Sequence, residues 1–189
     1  MSRVLSREDG LLLVSLAKDA IASVFSKDIV EISTDMQEKF SHKRGVVVTI
    51  HKRGKLRGCI GYPKSDLPLY KVVMNAAKTA AFQDPRFVPI SKEELLQVEL
   101  EVSVLTEPKR VEEVDSRAII KKFKAGKDGV IIQNEGFSGI MLPHVATAYG
   151  WSSEEFLGYA CTKAGLHDSA WREPESRLYK FNAQIFHEN

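Results

Sequence analysis

Apolar residues recur at helical spacing in two long segments of the chain. The first covers about residues 6–26 and opens with Ser6 and Asp9, a pair that resembles a helix capping box. The second covers about residues 66–83, and it ends before Pro85 because the residue preceding a proline avoids the helical conformation. Both segments are therefore predicted to be amphipathic helices that bury one face.

A strand pattern follows between residues 46 and 62, where β-branched residues flank the polar turn KRGK. We expect a hairpin with a three-residue loop that ends at Gly54 in the left-handed conformation. Side chains alternate across a strand, so Arg57 and Cys59 share one face of this hairpin. The opposite face is predicted to carry Val46, Val48, Ile50, Leu56, Gly58 and Ile60.

The order hairpin, helix, strand occurs twice. After the helix at about residues 66–83, apolar and polar residues alternate strictly over residues 98–104. Glu101 and Ser103 are among the polar positions predicted to face outward. A second hairpin surrounds the turn NEG, helices follow from Pro143, and a last strand covers about residues 179–185. This order predicts an α+β fold of about six mainly antiparallel strands with packed helices.

Composition narrows the class of protein. The 189 residues are 43% apolar and 28% charged with a net charge of +2, which is ordinary for a globular chain and favours no polyanionic partner. Length favours a single domain over residues 1–189, with segments around 27–42 and 106–128 as candidates for a small lobe. Two distant cysteines, a polar start and no apolar run of about 18 residues lead us to expect a cytoplasmic location.

The stretch GKLRGCIGYP contains the strongest candidate chemistry. Arg57 and Cys59 are separated by about 6.6 Å along the strand, so a guanidinium can bend toward the sulfur and favour its thiolate form. Gly58 and Gly61 lack side chains and leave room for a ligand. In the competing interpretation, Cys59 is a small buried hydrophobe and the glycines mark a bulge or a barrel corner.

Two further stretches carry weaker signals. In DPRF, Arg86 can bind a carboxylate or phosphate, although Asp84 and Arg86 can equally fix the loop. In GIMLPHVA, His144 lies in the first turn of a helix and is a candidate general base or ligand-binding residue, or a structural residue. Cys161 has the neighbours of a core residue.

Cofactor signatures are missing from the sequence. It has no phosphate-binding loop, no dinucleotide glycine fingerprint, no zinc-ligand spacing and no serine nucleophile elbow. We therefore expect no cofactor and no metal. Lys52, Arg53 and Lys55 form a basic hairpin tip, which we interpret as a solvated turn rather than a nucleic-acid site.

The motifs LRGCIGY, AFQDPRFVP, SVL, GIMLPHVA and CTKAGL, in this order, resemble the AMME syndrome candidate-gene-one (AMMECR) domain family, in its archaeal and bacterial single-domain form. The similarity covers nearly the whole chain from about residue 6. It implies a cytoplasmic α+β protein with an internally duplicated, barrel-like sheet. It implies no established reaction, and it suggests a pathway shared with a Memo-type protein and a radical S-adenosylmethionine enzyme.

The resemblance transfers the signature onto residues 56–61 and the DPRF motif onto residues 84–87. Relatives more often have glutamine or glutamate where this chain has His144, so a Cys59–His144 pair is not expected to be the shared mechanism of the family. Two functions remain open. In one the chain is a small-molecule enzyme or ligand-processing protein that uses Cys59 and Arg57, and in the other it is a binding or scaffold module in which Cys59 is structural.

Overall fold

The structure is a computed structural model that describes residues 4–188, and in this range the chain forms two compact units. The first unit contains the described residues up to Leu105 and those from Gln184 onward, and the second unit is Thr106–Ala183. The α-helices are α1 Arg7–Ser26, α2 Thr34–Lys39, α3 Leu69–Phe82, α4 Ser116–Lys122, α5 Pro143–Tyr149 and α6 Ser153–Lys163. The strands are β1 Val46–Lys52, β2 Lys55–Tyr62, β3 Val98–Leu105, β4 Lys109–Arg110, β5 Gly129–Asn134, β6 Phe137–Met141, β7 Arg177–Phe181 and β8 Ala183–His187. Short 3₁₀ helices lie at Glu94–Gln97 and Ala170–Arg172.

The first unit is built on a four-stranded sheet in the order β2-β1-β3-β8. The predicted capping box of Ser6 and Asp9 is present at the start of α1. Helix α3 begins at Leu69 after Pro68, three residues later than the sequence pattern suggested. The core lies between one face of this sheet and the two long helices, with Leu13, Ile21, Val48, Ile50, Leu69, Val73, Ala77, Leu100 and Val102 among its fully buried members.

The second unit has a four-stranded sheet in the order β4-β7-β5-β6. Pro143 begins α5, as the sequence predicted. Gly150 ends this helix, and Ser152 with Glu155 forms a capping box at the start of α6. Its core contains Val130, Ile132, Phe156, Leu157, Ala160, Cys161, Ala170 and Trp171.

The two sheets repeat one topology, and this supports the predicted duplication. In each, the first hairpin strand is central, the second hairpin strand is at one edge, and the strand that follows the helices pairs on the other side. The fourth strands are exchanged along the chain, because β4 follows β3 but joins the second sheet, and β8 follows β7 but joins the first. The mixed α and antiparallel β architecture is confirmed, but the barrel-like sheet of about six strands is not, because eight strands form two sheets and neither closes within the described residues.

Both hairpins turn through two residues with positive φ. These are Arg53 and Gly54 in the first hairpin, with φ of 51° and 73°, and Glu135 and Gly136 in the second, with φ of 47° and 88°. Two left-handed residues match the right-handed twist of the flanking strands. The left-handed Gly54 is confirmed, whereas the three-residue loop is wrong, since Lys52 pairs directly with Lys55.

A β-bulge interrupts the first hairpin at Arg57. Ile50 pairs with Gly58 and His51 pairs with Leu56, so Arg57 has no partner on β1. The extra residue reverses the alternation beyond it. Leu56 therefore lies on the face opposite the core and is 43% exposed, and its predicted place beside Ile50 is wrong.

The last predicted strand is divided in two. Exposed Asn182 separates β7 from β8, and its backbone N–H donates to the Thr106 side chain while its carbonyl accepts from the Thr106 backbone. Segments 27–42 and 106–128, the candidates for a small lobe, lie in the first and the second unit respectively.

Candidate functional site

Cys59 lies on β2, the edge strand of the first sheet, and the DPRF loop binds its backbone. The Cys59 N–H donates to Asp84 Oδ2 at 2.9 Å, and Arg86 Nη2 donates to the Cys59 carbonyl at 3.1 Å. Two side chains thus occupy the hydrogen-bonding positions that a further strand would use. The loop therefore fixes the backbone at Cys59 and closes this point of the sheet edge.

The Asp84–Arg86 pair is a charge-assisted clamp. Arg86 donates from Nε to Oδ1 at 2.9 Å, from Nη2 to Oδ2 at 2.7 Å, and from its backbone N–H to Oδ1 at 3.1 Å. The hydrogen bond from Arg86, reinforced by the backbone N–H of Cys59, lowers the pKa of Asp84 to about 2 against the opposing effect of burial. Asp84 is buried, whereas the Arg86 side chain is 47% exposed, and its Nη1 has no hydrogen-bond partner in the described part of the chain.

Thr49 and Arg86 are polar neighbours of the Cys59 side chain. Cys59 is half-buried, and its sulfur accepts a hydrogen bond from Thr49 Oγ1, on the facing strand, at 3.5 Å. The pKa of Arg86 is raised first by its hydrogen bond to Asp84, and the Cys59 sulfur adds to this effect. Arg86 is thus a cation whose electrostatic field reaches the sulfur.

Arg57 makes different contacts from those expected. Its Nε and Nη2 donate to the two carboxylate oxygens of Glu94 at 2.8 and 3.0 Å, and Lys52 Nζ donates to the same carboxylate at 2.9 Å. These bonds, that from Arg57 first, lower the pKa of Glu94 to about 2. No hydrogen bond joins Arg57 to Cys59 among residues 4–188, and the guanidinium binds Glu94 of the 3₁₀ helix Glu94–Gln97 instead.

The Phe87 ring contacts both arginines. The guanidinium carbon is 5.9 Å from the ring centroid for Arg57 and 5.4 Å for Arg86. Distances of this size are those of cation–π contacts. The ring therefore links the two ion pairs. Phe87 is part of the DPRF motif, but the sequence alone assigned it no role in the site.

The signature glycines have packing roles. A Cβ on buried Gly58 would overlap the carbonyl oxygen of Ala80 in α3, so the glycine lets β2 approach the helix. A Cβ on Gly61 would lie 2.7 Å from Val47 Cγ2 on the facing strand. The predicted use of both glycines in ligand binding stays a prediction.

Glu101 is a buried carboxylate that the sequence pattern missed. It pairs with Thr49, which pairs with Cys59, so the three side chains form one lateral row on the sheet face opposite the core. Glu101 is only 4% exposed and accepts from Ser103 Oγ at 3.2 Å. The prediction that Glu101 and Ser103 face solvent is wrong, because alternation identifies a face of the strand but not whether that face is covered.

The remaining candidates lie in the second unit. His144 occupies the first turn of α5, and its Nδ1 is buried without a hydrogen-bond partner in the part of the chain that the structure describes. Cys161 is fully buried in the core, as expected, and desolvation raises the pKa of its thiol to about 11. The structure thus brings Cys59, Asp84 and Arg86 together, while His144 belongs to the other unit.

Neither a metal-binding cluster nor a membrane-spanning helix is present in the described part of the chain. Residues 4–188 contain no group of three or more histidine, cysteine, aspartate or glutamate side chains arranged to hold a metal ion. None of the helices described is long and apolar enough to cross a bilayer.

Comparison with known proteins agrees with the motif resemblance. The AMMECR1 family model matches residues 14–186. A protein of Methanothermobacter thermautotrophicus is 44% identical over 187 residues, which cover 98% of this chain and 97% of the relative, and Protein TK0174 of Thermococcus kodakarensis is 42% identical over 96% of this chain and 91% of its own. The crystal structure of uncharacterized protein PH0010 from Pyrococcus horikoshii superimposes with a TM-score of 0.91 at 38% identity, covering 98% of this chain and 94% of that one. The chain therefore belongs to the AMMECR1 family.

Proposed function

We propose that the protein binds and processes a small anionic metabolite at Cys59, with the thiol as the reacting group. In this proposal Arg86 is the cation beside the sulfur and the anchor of the substrate. Asp84 positions both of them. Arg57, first considered as the electrostatic partner, braces the bulge through Glu94 instead.

One observation carries this proposal. The backbone of Cys59 is held at its N–H and at its carbonyl by a single ion pair, yet the residue is half-buried rather than fully enclosed. A side chain that serves only as core filler needs no such fixation. A reacting group gains from it, because a fixed position lowers the entropic cost of reaching the transition state.

The expected preference for an anion follows from the hydrogen-bond donors of Arg86 that remain without an acceptor in the described part of the chain. Asp84 and the Cys59 carbonyl occupy Nε and Nη2, whereas Nη1 keeps two N–H groups and the side chain is 47% exposed. Guanidinium N–H groups bind carboxylate and phosphate oxygens with well-defined geometry. An anion bound there would lie next to the Cys59 sulfur.

The test compares iodoacetate with iodoacetamide, two alkylating reagents of similar size that differ in charge. The ratio of the two modification rates at Cys59 is measured by peptide mass spectrometry on the folded protein. We expect the replacement Arg86→Met to lower this iodoacetate-to-iodoacetamide ratio about fivefold, equivalent to about 1 kcal/mol. An unchanged ratio would remove Arg86 as the anion anchor.

A second variant guards against loss of structure. Arg86→Met leaves the buried Asp84 carboxylate without its partner, which is destabilising. The pair Asp84→Asn with Arg86→Met removes both charges together, and the same drop in the ratio is expected in this double variant. Lys55→Met, at the exposed hairpin tip, is the matched control and should leave the ratio unchanged.

A scaffold role is the second candidate, and the packing of the signature favours it. Gly58 is required for contact with α3, and Arg57 is committed to Glu94, so two residues of LRGCIG have structural roles. The discriminating experiment uses Cys59→Ser in a host whose own copy of the gene is deleted. Metabolite levels in the variant strain that equal those of the wild-type strain would support the scaffold role. Levels that equal those of the deletion strain, with the stability of the variant protein unchanged, would support thiol chemistry.

The family resemblance supports a cytoplasmic place in a pathway with a Memo-type protein and a radical S-adenosylmethionine enzyme. The partner proposal is tested with the purified proteins by analytical ultracentrifugation. A complex at micromolar concentration would support direct association, and separate sedimentation of all three would reject it.

A further inference from the structure

A cleft of about 450 Å³ lies in the second unit, between the outer surface of α6 and the segment around the 3₁₀ helix Ala170–Arg172. This volume is within the range of small-molecule sites. Its lining includes Gly158 and Tyr159 of α6, and Trp171 and Arg172 of the facing segment. None of these residues belongs to the Cys59 site.

Tyr159, which lines the cleft, is the last of three stacked aromatic rings. Tyr149 and Trp151 are parallel within 13° with centroids 4.8 Å apart, and Trp151 and Tyr159 are parallel within 13° at 3.9 Å. One face of Tyr159 is covered by Trp151, and the side chain is still 48% exposed. The ring is therefore preordered, and because Tyr159 lines the cleft, a ligand can stack on its uncovered surface at small entropic cost.

The charge of the lining selects the ligand. Glu154, Glu155 and Asp168 line the cleft, with Arg172 as the one cation among the lining side chains that the structure describes. Hydrogen bonds from the backbone and hydroxyl of Ser152 lower the pKa of Glu155, so its carboxylate remains ionised in the capping box. The lining therefore has an excess of negative charge at neutral pH.

The cleft already contains one contact of the expected kind. Arg172 is stacked over the Trp171 ring with its guanidinium carbon 4.6 Å from the centroid, and it is paired with the Glu154 carboxylate. Asp168 has no hydrogen-bond or ion-pair partner for its side chain within the described range. The exposed ring of Tyr159 together with this carboxylate can thus accept a second cation.

We propose that this cleft binds a small organic cation, such as a quaternary ammonium or alkylated amine, which stacks on Tyr159 and is balanced by Asp168. Aromatic faces attract such cations through the ring quadrupole, and the desolvation cost is lower for an alkylated cation than for a compact ammonium. The site is separate from the proposed thiol site, and each proposal can fail alone.

The test uses choline and its neutral isostere 3,3-dimethyl-1-butanol as probes of the full chain. Binding is followed by the fluorescence of Trp151 and Trp171, the two tryptophans of the sequence, and by isothermal titration. Choline is expected to bind at least tenfold more tightly than the isostere. Equal affinities for the two probes would overturn the proposal. So would the absence of choline binding at a 100-fold molar excess of choline over protein.

Variants separate the ring from the carboxylate. Tyr159→Leu and Asp168→Asn are each expected to weaken choline binding about fivefold or more, whereas Tyr159→Phe keeps the ring and the affinity. Tyr149→Leu, at the far end of the stack and outside the lining, is the matched control and should change the affinity less than twofold. Equal losses in Tyr149→Leu and Tyr159→Leu, with circular dichroism unchanged, would contradict direct stacking on Tyr159.

Discussion

The two hairpins of the molecule are built alike and differ at the residues that carry the candidate chemistry. Each turns through two residues with positive φ, and each places a glycine opposite an isoleucine, Gly58 opposite Ile50 and Gly139 opposite Ile132. Both glycines lie against a later helix of their own unit, near the carbonyl oxygens of Ala80 and Ala160. The glycine therefore belongs to the shared architecture.

The differences lie on either side of that glycine. The residue after Gly58 is Cys59, and the residue after Gly139 is Ile140, which is also half-buried. Before the glycine, the first hairpin has the extra residue Arg57 in its bulge, whereas the second hairpin pairs without interruption. The architecture thus accepts an aliphatic side chain at the Cys59 position and no residue at the Arg57 position, so neither is required by the hairpin itself.

The largest expected effect concerns the shared glycine. We expect Gly58→Ala to destabilise the protein by about 3 kcal/mol, because the added Cβ overlaps a backbone carbonyl that only a shift of α3 can relieve. A Cβ added at Gly139 would lie 2.8 Å from Ala164 Cβ and 3.1 Å from the Ala160 carbonyl oxygen. We therefore expect Gly139→Ala to lower the free energy of unfolding by about 1–2 kcal/mol. Urea unfolding followed by circular dichroism measures both, and a smaller cost for Gly58 than for Gly139 would contradict the packing explanation.

The next largest effect on stability is expected from removing the Asp84 carboxylate, which binds the Cys59 backbone. Asp84→Asn is expected to cost about 2 kcal/mol at pH 7, since the pKa of Asp84 is lowered to about 2 from an ordinary value of 3.8. A lowered pKa means that this contribution is complete above about pH 4 and disappears as the pH falls toward 2. The difference in unfolding free energy between wild type and variant should shrink over that interval.

Glu94→Gln provides a parallel case for the same pH dependence, because the pKa of Glu94 is also lowered to about 2. Glu99→Gln is the control, since Glu99 is exposed on β3. A stability difference for Asp84→Asn that stays constant from pH 6 to pH 2 would show that the ion pair does not stabilise the folded state.

A smaller effect on stability is expected from replacing Arg57, the extra residue in the bulge. We expect Arg57→Met to cost about 1–2 kcal/mol, because a bidentate and largely buried ion pair to Glu94 is lost. A double-mutant cycle with Glu94→Gln should yield a coupling energy of about 1 kcal/mol or more. A coupling near zero would mean that Arg57 is available for another role, such as the one first predicted beside Cys59.

The smallest effect on stability is expected at Cys59. Cys59→Ile copies the second hairpin, and we expect a change in unfolding free energy of less than about 1 kcal/mol. Such tolerance would show that the thiol is dispensable for folding. A cost above about 3 kcal/mol would show instead that the position is a packed site that only a small side chain fills.

Much of the fold follows from local rules visible in the sequence. Ser6 with Asp9, Pro143 and Gly150 mark helix ends because their effects on backbone hydrogen bonding act within one turn. The repeated order of elements also survives in the two sheets. The exchange of β4 and β8 was not predictable, since strand partners far apart in the chain leave no local signal.

The candidate site was predicted in composition and not in its contacts. Cys59, Asp84 and Arg86 stand in unusual motifs, but 25 residues separate the Cys59 N–H from the carboxylate that accepts its hydrogen bond. A single extra residue redirected Arg57 to Glu94, and alternation alone cannot reveal a bulge. Glu101 was missed because its polarity suggested exposure.

Alkylation of the folded protein with iodoacetamide tests the reactive thiol most directly, with Cys161 as the internal reference. The buried Cys161 thiol has a pKa raised to about 11, so it should remain unmodified at pH 8 while Cys59 is modified in the same molecules. Peptide mass spectrometry counts both. Selective modification of Cys59 is the expected result, and equal protection of the two cysteines until the chain unfolds would contradict a working thiol at Cys59.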